Sequence, residues 1–120
     1  MNETELAALK KQLWANSLGL VLLNVDLNLY KAQIAQRRWG TPGGNDVAQV
    51  HYGVIEQLLE RTRWPEALDD AVKDFSDHLT IFRGHLKAMD VTRVSYEATR
   101  LANAFAALQQ GLETWAAITE

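Results

Sequence analysis

Large apolar side chains in the second half of the chain recur at alternating steps of four and three. Leu68, Val72, Phe75, Leu79, Phe82, Leu86 and Met89 form one ladder, and Val91, Val94, Ala98, Leu101, Phe105, Leu108, Leu112 and Trp115 form another. An α-helix turns once in 3.6 residues, so each ladder falls on a single stripe, whereas a strand would scatter it over two faces. Two consecutive helices with matching apolar seams predict a helical bundle.

The first half reads as two more helices. The first is expected from Asn2 or Thr4 to about Arg38, with Asn2 and Glu5 at capping-box spacing, acids at its start and Lys31, Arg37 and Arg38 at its end. Leu23 to Leu29 alternates apolar and polar residues as a half-buried strand would, but a lone strand would leave its backbone groups unpaired, and the three-four spacing on both sides favours helix. Gly40-Thr-Pro-Gly-Gly44 is expected to break the helix. A second helix restarts at Asn45 or Asp46 and ends near Arg61 or Arg63. Pro65 suits the first turn of helix 3, and Asp90 is a natural N-cap for helix 4, which is expected to run to about Thr119. The expected fold is all-α: a single domain over residues 1–120, an antiparallel four-helix bundle with a long first helix.

Helix 1 carries two apolar sets where an ordinary surface helix carries one. Leu6, Leu9, Leu13, Leu20, Leu23, Leu27, Tyr30 and Ile34, with Asn16 in the same row, are expected to form the seam to the bundle. Trp14, Leu18, Leu22, Val25 and Leu29 point away from that seam: either helix 1 lies centrally, wrapped by the other three, or Trp14 and Leu18 cover loops, or, the reading preferred here, the set is the interface of a homodimer in which helix 1 packs on its own copy. An amide at a seam position, as at Asn16, fixes register at some cost in stability.

Composition narrows the functions open to such a bundle. With 120 residues, a core can form without staples, and the absence of cysteine removes thiolate nucleophiles, cysteine zinc sites and disulfides. The acidic opening Met-Asn-Glu-Thr-Glu does not resemble an export signal, so a cytoplasmic protein is expected. Leu18 to Leu23 is too short an apolar run for a membrane span. Net charge is −3 and the basic residues are dispersed in pairs, which argues against a nucleic-acid partner.

Candidate chemistry rests on few residues. Asp74 and His78, four apart on helix 3, could meet on one metal ion with His51 or Glu56 from helix 2 and Asp26 from helix 1. Asp26 also stands alone as a candidate, a carboxylate in the apolar middle of helix 1 beside Asn24 and Asn28, on a polar strip that either faces solvent, the preferred reading, or lines a cavity where a desolvated carboxylate would be functional. His85-Leu86-Lys87-Ala88 invites comparison with histidine phosphotransfer domains. Those domains carry His-x-x-Lys-Gly, so the lysine here falls one residue early and alanine stands in place of glycine. The glycine-rich turn lacks the Gly-Lys-Ser/Thr ending of a phosphate loop, and no Gly-x-Ser-x-Gly nucleophile setting occurs. Of the four tryptophans, Trp115 completes the helix 4 ladder, and Trp39 and Trp64 flank helix 2, each capping one end of the bundle. No catalytic residue and no cofactor are implied. The expected function is that of a non-enzymatic interaction module, a small adaptor or regulator that binds a protein partner and dimerises through helix 1. The alternative is a phosphotransfer-like or metal-binding bundle using the histidines and aspartates of helix 3.

Overall fold

The computed structural model describes residues 1–37 and 42–118, of Pro42 only the backbone. The chain is all-α: among the described residues four long helices run antiparallel in sequence as α1 (Glu3–Gln36), α2 (Pro42–Arg61), α3 (Asp69–Lys87) and α4 (Val91–Ala117), with one 3-10 turn at Glu66–Leu68 before α3. No strand occurs among the described residues, and Leu23 to Leu29 is helical. Arg38, Trp39, Gly40, Thr41 and Thr119 lie outside the described residues.

Local chemistry accounts for most of the boundaries. Asn2 Oδ1 accepts from the Glu5 N–H at 2.8 Å, and Asp90 Oδ1 accepts from the Arg93 N–H at 3.1 Å, so two helices open on side-chain caps. Between α3 and α4, Met89 takes a left-handed conformation (φ 58°), which lets the Asp90 N–H reach the His85 carbonyl and closes the end of α3. The start of α2 departs from expectation. The helix begins at Pro42 and includes Gly43 and Gly44, so Asn45 and Asp46 lie inside its first turns rather than capping it. A proline's missing N–H costs nothing at a helix start, and the two glycines are carried along behind it. Pro65 stands just before the 3-10 turn, four residues ahead of Asp69, so it precedes α3 rather than lying in its first turn.

Two hairpins, α1–α2 and α3–α4, pack face to face around one core. Leu18, Val25, Ile55, Phe75, Leu79 and Leu108 are among its fully buried members. Phe75 meets Phe105 across the α3–α4 seam, and Tyr52 meets Phe82 edge-on between α2 and α3. The Tyr52 hydroxyl donates to Gln36 Oε1 of α1, and burial pushes this phenol well above its ordinary range. Arg83 ties α3 to α2: it donates to Gln49 Oε1 at 2.7 Å and pairs with Glu56 at 2.8 Å, while Gln49 returns a bond to the Arg83 carbonyl. The α3 ladder is buried through its middle as expected, and so is the α4 ladder except at Ala98, which is exposed while its neighbour Glu97 takes the buried slot. Met89 and Val91, at the turn, are exposed. The result is a rod of 59 × 21 × 18 Å whose radius of gyration, 16.6 Å, exceeds the roughly 14 Å of a compact chain of this length.

Candidate interaction surface

The two apolar faces of α1 lie the other way round from the expectation. Leu18, Leu22, Val25 and Leu29 are buried within the single chain, and Trp14 packs at the edge of the core. The expected dimer interface is therefore α1's contact with its own bundle. Ala32 and Ala35 extend this buried stripe, and their small side chains let α2 approach closely. The set expected to line the bundle faces outward instead. Leu6, Leu9, Leu13, Leu20, Leu23, Leu27, Tyr30 and Ile34 are 41–68% exposed. At 100° per residue this row lies opposite the buried one, so α2 and α4 stand behind α1 and leave the row uncovered along its length. Asn16 lies in the same row and is exposed.

These eight large side chains carry on the order of 700 Å² of accessible surface, more than the ~300–600 Å² of the largest apolar patch on an ordinary monomer. At the far end of the row Val47 of α2, itself exposed, continues the patch beside Ile34. A groove of about 490 Å³ runs along one flank, between α1 and α4, lined by Leu23, Leu27 and Tyr30 on one wall and Ala98, Leu101 and Ala102 on the other. Asp26 is exposed and stands on the rim of this groove; it is not enclosed.

The N-terminal half of α1 is held by aromatic and cationic contacts. Trp14 and Trp115 meet edge-to-face at 5.2 Å, Arg63 lies over Trp14 at 4.2 Å, and Lys11 lies over Trp115 at 5.0 Å. Trp14 Nε1 donates to the Arg63 carbonyl at 3.1 Å, and Lys11 Nζ donates to the Ile118 carbonyl at 2.6 Å. These contacts fix the helix to both hairpins. Trp64 is half-buried and donates to the Leu59 carbonyl at 3.0 Å, covering one end of the bundle.

The candidate polar residues separate into two places. His51 belongs to the α1–α2 seam. The buried Asn28 gives its Nδ2 to both oxygens of Asn24, so its Oδ1 is left to accept from His51 Nδ1 at 3.0 Å. His78 lies on the α3–α4 side between two carboxylates, Nε2 3.4 Å from Asp74 and Nδ1 3.4 Å from Glu97. Asp74 and His78 are thus brought together while His51 is not. Glu97 is the member of this row that the sequence pattern missed: it occupies a buried slot on α4 between Val94 and Leu101. No three His, Asp or Glu side chains among the described residues are grouped to hold a metal ion. His85 is half-buried in the last turn of α3, apart from both sites.

No described helix is long and apolar enough to cross a membrane. Comparison of the chain with protein-family models, with curated proteins and with solved structures finds no match.

Proposed function

We propose that the protein is a non-enzymatic interaction module, a small adaptor or regulator that works as a homodimer and whose binding surface is the outer face of α1. The observation that carries this is the row of six leucines, Tyr30 and Ile34, interrupted at Asn16, on the side of α1 turned away from the bundle. A solvated surface helix has no physical use for such a row, and a second helix laid along it would bury it by the same packing that joins helices in coiled coils. The alternative, a phosphotransfer or metal-binding bundle, draws its support from Asp74, His78 and Glu97, and that row already serves to partner a buried carboxylate.

The test is to place a charge in the row. Leu20→Asp and Leu27→Asp are expected to abolish association in light scattering while leaving helicity by circular dichroism unchanged, because both side chains are exposed in the single chain. Variants that associate as well as the parent would remove α1's outer face from the proposal.

A further inference from the structure

We infer that the outer face of α1 takes a second copy of the same helix in one arrangement only, parallel and in register. This rests on the proposed association surface and adds its orientation. The exposed row steps by three and four from Leu6 to Ile34 without a break, the pattern of a two-stranded seam in which the two core positions of each seven-residue repeat alternate. At about 700 Å² per chain, the row approaches the ~800 Å² that each partner contributes to a standard interface.

The polar positions of the row select the orientation. Asn16 is its only polar core member. In a parallel pair, like core positions face one another, so in register Asn16 meets the partner's Asn16 and each amide gains a donor and an acceptor. In an antiparallel pair the two kinds of core position face each other. Asn16 would then lie against a leucine or Ile34 in every register, with its amide unpaired. Slipping a parallel pair by one repeat leaves the same mismatch, against Leu9 or Leu23.

The flanking charges agree independently. One edge of the row carries Lys10 and Lys31, and the other carries Glu5 and Asp26. None of the four makes an ion pair with a described residue of its own chain. A parallel pair sets each edge beside the partner's opposite edge, five residues on. Glu5 then meets the partner's Lys10 and Asp26 meets the partner's Lys31, giving four attractive pairs by symmetry. An antiparallel pair would set lysine edge against lysine edge and acid edge against acid edge. This also gives Asp26, exposed on the groove rim, a specific partner.

The chain has no cysteine, so a single thiol reports orientation directly. Leu9→Cys, at an exposed position near one end of the row, is expected to oxidise to a covalent dimer in nearly full yield. In a parallel pair in register the two thiols face each other within disulfide reach. In an antiparallel pair they would be roughly 27 Å or more apart. Asn16→Leu is expected to tighten association by on the order of tenfold, since the amide confers specificity at the expense of affinity. It should also reduce the yield of the position-9 disulfide as other arrangements become accessible. A light-scattering dimer that forms no disulfide with Leu9→Cys alone, but does so when Leu9→Cys and Leu27→Cys chains are mixed, would overturn the parallel orientation and leave association intact. A parent chain that is monomeric at every concentration would overturn both, as would a monomer that sediments only with anionic phospholipid vesicles.

Discussion

Leu18 and Leu20 stand two residues apart on α1 and should respond to truncation in opposite ways. Leu18 is 1% exposed in the core and Leu20 is 68% exposed on the outer row. Leu18→Ala removes a fully buried side chain, forfeiting its transfer free energy and leaving a cavity that the packed helices fill only partly. The expected cost is about 2–5 kcal/mol, a large share of the ~5–15 kcal/mol that holds a small domain folded. Leu20→Ala removes no intrachain packing, and alanine is at least as good a helix former, so its intrinsic effect should stay within about 0.5 kcal/mol. Urea unfolding followed by circular dichroism at several protein concentrations separates the two. With a slope of ~1–3 kcal/mol/M, Leu18→Ala should lower the midpoint by on the order of 2 M at every concentration. Leu20→Ala should fall below the parent only in concentrated samples, where association adds stability by mass action. Equal losses in dilute samples, or a greater loss from Leu20→Ala there, would refute the assignment of inner and outer faces.

Three further outcomes follow from the core and its polar contacts. Because burial raises the folded-state pKa of Tyr52, the unfolded chain loses that proton first as pH rises above ~10, so Tyr52's contribution to stability is intact below that pH and declines above it; in urea titrations Tyr52→Phe should flatten the decline. Replacing His78 by alanine should cost about 1–3 kcal/mol in thermal or urea unfolding, because it leaves the buried Glu97 carboxylate without its partner. Gly84→Ala should raise stability by about 0.5–1 kcal/mol, since an added Cβ at this exposed position in α3 meets nothing within 4 Å and alanine is the better helix former.

The helices were legible in the sequence because spacing, charge and capping residues marked the same boundaries. Asn2 and Asp90 cap where side-chain chemistry says they should, and the Phe75, Leu79, Phe82 and Leu101, Phe105, Leu108 segments are buried as their periodicity requires. On α1 periodicity failed to choose a face. Its two apolar rows lie on opposite sides, so the pattern fixes the period of burial but not its phase. The discriminating signal was in residue size: the buried row runs on into Ala32 and Ala35, which suit close packing on α2, while the outer row holds Asn16 and Tyr30. Glu97 was hidden by Ala98, its neighbour, because either residue continues the helix 4 ladder by a step of three or four. The contact with His78 that makes a buried carboxylate tolerable there depends on how α3 and α4 dock, which neither helix's sequence reveals alone.

Sedimentation equilibrium of the unaltered chain decides whether the outer face of α1 closes on a second copy. An outer α1 face that closes on a second copy predicts a mass tending to twice the 13.5 kDa of the chain as concentration rises, and dissociation on dilution. A constant single-chain mass up to millimolar concentration would contradict it.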